Sequence, residues 1–162
     1  MSDFDPTDGG HDERLKDLRE RLEKCRREDE QIKSLFENAL IGMYRTTPEG
    51  RILSANPALV EMLGFADFDE LSLCDLEQQQ FYSPDFSRSD YKRVMEDYGE
   101  IRGLECRWVR RDGTYLPVRE SSRTVRDDSG EILYYEGTVE DMSQQKRVEE
   151  ENRKLEAHLR QQ

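Results

Sequence analysis

The stretch ECRWVRRDGTYLPVRESSRTVRDDSGEILYYEGTVEDMS, Glu105 to Ser143, decides the fold. With Leu104 it holds three apolar-rich runs, Leu104 to Arg110, Tyr115 to Val125 and Ile132 to Val139. They are separated by Arg111-Asp112-Gly113 and Asp127-Asp128-Ser129-Gly130. Asp, Ser and Gly in such short separators are turn residues, so the stretch reads as a three-stranded antiparallel meander. A two-residue Asp-Gly turn would pair Val109 with Leu116 and mix apolar and charged residues on one face. A three-residue loop with Gly113 in the left-handed position instead sets Trp108 opposite Leu116 and Cys106 opposite Val118, which gathers the apolar side chains together. In that register Glu120 shares the apolar face and needs a partner. Pro117, which lacks an amide, belongs on an outward-facing or irregular strand position.

Upstream, Gly42 to Thr47 and Arg51 to Ser54 read as strands around a Pro48-Glu49-Gly50 turn. Asn56-Pro57 opens a helix that buries Leu59, Val60, Met62 and Leu63 and stops at Gly64. Asp67 with Glu70 forms a capping pattern for a short helix from Phe68, and 71–82 reads as a helical turn and loop. After Ser83-Pro84, the stripe Tyr91, Val94, Met95 and Tyr98 marks a longer helix ending at Gly99.

Both ends are helical in pattern. Residues 1–11, with Pro6, two glycines and several aspartates, read as a disordered leader. Over 12–36, Leu15, Leu18, Leu22, Cys25, Asp29, Ile32 and Phe36 alternate gaps of three and four, a heptad seam among charged residues. Such a helix could lie on its own domain, but the narrowness of the stripe favours a homodimeric coiled coil, with Asp29 weakening the pairing. In the tail, 144–162, Val148, Asn152, Leu155 and Leu159 resume the rhythm.

Composition sets outer limits. The chain has 162 residues, 38% charged and 34% hydrophobic, with a net charge of -12. That leaves room for one domain of ordinary size plus solvated helices, and it argues against a nucleic-acid partner, which needs a basic face. No apolar run reaches the length needed to span a bilayer, so no membrane insertion is expected. Cys25, Cys74 and Cys106 are odd in number and widely spaced, which suits free thiols in a cytoplasmic protein.

The order strand, strand, small helices, longer helix, three strands resembles the PAS domain. The likeness is carried by Asn56-Pro57-Ala58, Met62-Leu63-Gly64-Phe65, Arg110-Arg111-Asp112-Gly113, Val118-Arg119-Glu120, Leu133-Tyr134-Tyr135-Glu136-Gly137 and Asp141-Met142-Ser143. It implies an α+β fold over 37–143, a five-stranded antiparallel sheet with helices on one face, flanked by a coiled-coil helix and an output helix. Asp141, Met142 and Ser143 resemble the family's junction between sheet and output helix. Residues 151–160 look like the linker that in many bacterial sensor histidine kinases leads into the dimerisation and phospho-acceptor helix.

The resemblance implies a cytoplasmic sensor and dimerisation module of two-component signal transduction, with no catalytic role, that regulates a C-terminal kinase or other output domain in cis or in trans. The alternative is a ligand-free interaction domain that sets dimer geometry. No cofactor is expected. Haem-binding members use a histidine on the long helix, whereas His11 and His158 lie in leader and tail. Flavin-binding members set a reactive cysteine in a run that the neighbours of Cys74 lack. An unidentified small molecule would sit among Met43, Met62, Phe81, Met95, Trp108 and Tyr135, each of which serves equally well as ordinary core.

Overall fold

The computed structural model describes residues 8–78 and 81–161. Its elements run in the order α1 (Asp8–Asn38), β1 (Gly42–Thr46), β2 (Ile52–Ala55), α2 (Pro57–Leu63), α3 (Phe68–Ser72), α4 (Arg88–Tyr98), β3 (Glu100–Val109), β4 (Tyr115–Arg126), β5 (Ile132–Asp141) and α5 (Ser143–Arg160). Every strand pairing is antiparallel and the sheet order is β2-β1-β5-β4-β3. This is the expected α+β sheet.

The chain divides into two compact units, 1–37 and 38–162. In the first, helix α1 begins at Asp8, ahead of the expected Asp12, and residues 1–7 of the expected leader lie outside the described residues. Its surface carries i,i+4 ion pairs such as Arg21–Asp17, Arg27–Glu23 and Lys33–Glu37. Such exposed pairs each add only a few tenths of a kcal/mol, roughly 0.3–0.5, to a helix.

In the second unit the hairpin register follows the distribution of apolar residues. Trp108 pairs with Leu116 and Cys106 with Val118. Gly113 takes φ +83 and its amide donates to the Arg110 carbonyl, closing the three-residue loop. Pro117 stands in a regular part of the ladder, on the face opposite Leu116 and Val118, and its carbonyl accepts from the Met142 amide.

Strand β3 runs longer than the apolar run suggested, because a bulge lets it continue. Ile101 pairs with Ser122 but Leu104 with Glu120, so one extra residue is inserted next to Gly103 at φ +60. Strict alternation would put Ile101 and Leu104 on opposite faces; the bulge turns both towards the interior.

The helix ends match their signals. Asn56 caps α2 by accepting from the Leu59 amide, and Asp67 caps α3 by accepting from the Glu70 amide. Glu70 reaches back one residue further than a capping box requires, to the Ala66 amide. The capping box that starts α4 is Ser87 with Asp90. On α4, Tyr91 and Met95 are buried, but Tyr98 is 78% exposed and lies off the core stripe. Of the loop read over 71–82, residues 79 and 80 lie outside the described residues.

The interior between sheet and helices holds two apolar clusters. The larger includes Leu59, Leu63, Leu71, Phe81, Trp108, Leu116 and Val139, the smaller Tyr91, Met95, Ile101 and Tyr135.

Candidate functional site

Where the two clusters meet, the core carries polar groups. Glu120 on β4 is fully buried, as its register requires. The Tyr44 hydroxyl on β1 donates to Glu120 Oε1 at 2.6 Å and stands 3.3 Å from the Tyr91 hydroxyl on α4. Tyr44 must cross β5, which lies between β1 and β4, and it does so over Gly137, which pairs with both Tyr44 and Ser122. A Cβ at Gly137 would meet the Tyr44 hydroxyl at 2.7 Å and the Ser121 carbonyl oxygen at 2.6 Å. The hydrogen bond therefore needs a residue without a side chain at that point of the sheet.

Glu120 Oε2 has no hydrogen-bond partner among the described residues, and neither do Trp108 Nε1 and Thr46 Oγ1. Burial pushes the Glu120 carboxyl up to about 7; the Tyr44 hydrogen bond, the Arg88 charge and the nearby Trp108 indole act in the opposite direction. Burial, together with the Glu120 charge, also raises the Tyr44 and Tyr91 phenols, so both remain neutral donors at neutral pH.

Arg88, the first residue of α4, brings a cation to the edge of the same space. Its side chain is only 10% exposed; Nε reaches Glu77 at 3.3 Å and Nη2 donates to the Thr47 carbonyl at 3.0 Å. The guanidinium lies over the rings of Tyr91 and Tyr135 at 5.3 and 5.6 Å. The capping box at Ser87 and Asp90 fixes the helix start that places it.

A cavity of about 40 Å³ opens beside this cluster. Ile52, Leu59, Leu63, Leu71, Leu76 and Phe81 form its apolar wall, and Tyr44, Thr46, Tyr82, Arg88 and Trp108 complete it. Of the residues singled out from sequence, Phe81 and Trp108 line the cavity. Met95 and Tyr135 are buried in the smaller cluster, with the Tyr135 ring packed edge-on against Tyr91 at 5.4 Å. Met43, beside Tyr44 on the opposite face of β1, and Met62 on α2 are half-buried and do not line it.

Sequence reading anticipated a paired Glu120, but not its partners. Tyr44 and Tyr91 are 76 and 29 residues away and carry no shared motif. Gly137 was the available signal, a glycine inside a strand, which marks a close approach of another group.

The cysteines are free thiols: Cys25 exposed, Cys74 buried and Cys106 half-buried. Burial and the charge of Glu120 push the Cys106 thiol up to about 12, so it is an unreactive thiol at neutral pH.

At the sheet end, the junction residues form a fixed corner. Met142 is 3% exposed, and its amide donates to the Pro117 carbonyl at 2.9 Å. Asp141 Oδ1 accepts from the Ser143 amide at 2.8 Å, and the Met142 carbonyl accepts from the Lys146 amide. Helix α5 thus begins directly from β5, with its first turn tied to β4. Lys146 further reaches Glu105 on β3 at 2.9 Å. No helix among the described residues is long and apolar enough to cross a membrane.

A family model described as PAS domain matches residues 38–144. Over 127 residues the chain is 30% identical to the probable diguanylate cyclase DgcE of Escherichia coli strain K12, covering 76% of this chain and 11% of that protein. It is 26% identical over 133 residues to the sensor histidine kinase TmoS of Ectopseudomonas mendocina, covering 78% of this chain and 13% of that protein. The chain thus spans little more than a tenth of the length of these curated relatives. The crystal structure of the PAS domain of an HTR-like protein from Haloarcula marismortui superposes with a TM-score of 0.59 at 19% identity, covering 76% of this chain and 98% of that one. Sheet order, helix placement and the family match over 38–144 agree, and the chain belongs to the PAS domain family, the sensory modules of signalling proteins such as histidine kinases and diguanylate cyclases.

Proposed function

We propose that the chain is a cytoplasmic sensor and dimerisation module that passes a change in its core through Asp141, Met142 and Ser143 to helix α5, and from there to a kinase or other output domain. The observation that carries this reading is the absence of slack at the junction. Glu120 pairs with Val139 on β5, two residues before Asp141, and Met142 is bonded to β4 three residues before Glu120. A rearrangement around Glu120 therefore acts on the strand pair from which α5 starts. A stimulus moves that pair only by favouring one arrangement over another.

Dimerisation is supported by seam residues that the chain leaves uncovered. On α1, Leu15, Leu18, Leu22 and Ile32 are 46–68% exposed, Cys25 is exposed and Phe36 is half-buried. On α5, Val148, Leu155 and Leu159 are exposed at heptad spacing. A second copy would cover both stripes. Free thiols suit a reducing compartment. The reading gives the chain a binding role and no catalytic one.

Sedimentation equilibrium should give a mass of twice 19.2 kDa for the wild type. Leu22→Lys, which places a charge in each strand of the seam, should weaken association on the order of a hundredfold and leave the sheet folded by circular dichroism. A wild-type monomer at high concentration would rule out the dimer.

A further inference from the structure

The surroundings of Glu120 favour neither of its protonation states outright. The carboxyl is fully buried, with one oxygen bonded to Tyr44 and the other without a hydrogen-bond partner among the described residues. A buried carboxylate that stays ionised is normally met by a cation, but Arg88 is engaged with Glu77 and the Thr47 carbonyl. A carboxyl that stays neutral needs acceptors or apolar neighbours, whereas Tyr44 donates to it and the Trp108 indole on β3 favours its charge. These influences oppose burial, and the carboxyl is held near 7. The other titratable groups that face it are Tyr82 ahead of α4, Tyr91 on α4 and Cys106 on β3, each raised above its ordinary value and neutral at that pH. From β5 the paired residue is Val139, while Tyr135 lies under Arg88; α2 and α3 bring Leu59, Leu63 and Leu71.

The two states differ in the direction of the hydrogen bonds. A carboxylate only accepts, so in the ionised state Tyr44 gives its one hydrogen to Glu120, which leaves Tyr91 as the donor of the 3.3 Å contact with Tyr44. A proton on Oε2 would be a buried donor without an acceptor, so it belongs on Oε1, pointing at the Tyr44 oxygen. Tyr44 must then turn its hydrogen to Tyr91. Tyr91 turns its own to Ser122, which lies within its reach and itself donates to Met95 Sδ. At the same time the charge-assisted bond between β1 and β4 becomes a neutral one of about half the strength.

We propose that Glu120 is a proton-operated switch, in which uptake of one proton by its carboxyl reverses the Tyr91–Tyr44–Glu120 hydrogen-bond chain and changes how α4 and β1 are held against β4. The stimulus is then a change of pH. As the origin of an output this rests on the sensor reading above, but the titration is a property of the chain by itself. A Glu120 that does not titrate leaves the helix relay standing, and a titration that leaves α5 unmoved counts against the relay alone.

Trp108 is the one tryptophan, so its indole N–H gives a single resonance in a ¹⁵N–¹H correlation spectrum of the full chain. Between pH 5 and 8 that resonance should follow one titration curve with a midpoint near 7. The hydroxyl-bearing ring carbons and backbone amides of Tyr44 and Tyr91 should follow the same curve as the two hydroxyls exchange donor and acceptor partners. Glu120→Gln should flatten all of these curves, a control that leaves both histidines in place. Tyr44→Phe, which removes a donor to the ionised form, should raise the midpoint of the indole curve by about one unit. The proposal is overturned if the indole does not titrate or its curve survives Glu120→Gln. It is overturned equally if Tyr44 and Tyr91 stay still while the indole moves, or if Tyr44→Phe leaves the midpoint where it was.

Discussion

Glu120→Gln is expected to stabilise the protein at pH 8 and to lose that advantage by pH 5. The carboxyl is fully buried on β4, with one oxygen bonded to Tyr44 and the other bare. Tyr82, Tyr91, Trp108, Cys106 and Arg88 are the other polar groups that interact with it, and Arg88, itself paired with Glu77, is the one cation among them. Its folded value stands near 7, against an ordinary 4.5. A carboxyl shifted upward binds a proton in the folded state over a range where the unfolded chain has released it. Its favourable contribution is therefore complete below 4.5 and is lost as pH rises through about 7. Between pH 8 and 5 the wild type should gain about 2 kcal/mol relative to the glutamine variant, which keeps the shape and still accepts from Tyr44. Urea titrations of both proteins at the two pH values measure this. Parallel stability curves would show that Glu120 keeps one protonation state throughout.

Gly137→Ala should cost about 3 kcal/mol, the upper end for overpacking a close-packed site. The added methyl would stand 2.6 Å from the Ser121 carbonyl oxygen, 2.7 Å from the Tyr44 hydroxyl and 2.8 Å from Ser122 Cβ. The carbonyl belongs to the backbone of a central strand and cannot withdraw. Tyr44 can, but only by giving up its bond to Glu120. Hence the variant should unfold at markedly lower urea, and its Glu120 should have a still higher pKa, since the hydrogen bond that favours the ionised form is lost. A variant as stable as the wild type would mean that β5 has room that the close contacts deny.

How much of this was legible in the sequence depended on the range of the interaction. Asn56, Asp67 and Gly113 announce themselves because a cap or a tight turn is satisfied within a few residues. The Trp108–Leu116 register was legible because only one pairing put the apolar side chains of both strands together. The bulge at Gly103 was not, since the apolar-rich run begins at Leu104 and nothing local ties Ile101 to the same face. Tyr98 continues the α4 stripe by spacing yet is exposed, three residues beyond the fully buried Met95 and at the last position before Gly99 ends the helix.

The site was harder still. Trp108 and Phe81 were found as large apolar residues on core-facing elements, and Glu120 as a polar residue in an apolar register. The cluster of Tyr44, Tyr91 and Arg88 around Glu120 depends on β1 and α4 meeting across β5. No local pattern encodes that meeting, and tyrosine carries no mark of where its hydroxyl will end.

The proposed function requires the Glu120 cluster to be coupled to α5 through the junction. A nitroxide at Glu151→Cys, with Cys25 and Cys106 replaced by serine, reports the spacing of the two α5 helices in the proposed dimer by double electron–electron resonance. Tyr44→Phe removes the hydroxyl that joins β1, β4 and α4 while keeping the ring. Such coupling predicts a shifted distance distribution in Tyr44→Phe, and no shift when Asp141→Ala, which frees the Ser143 amide at the junction, is added. The same distances in wild type and Tyr44→Phe, or a shift that survives Asp141→Ala, would contradict it.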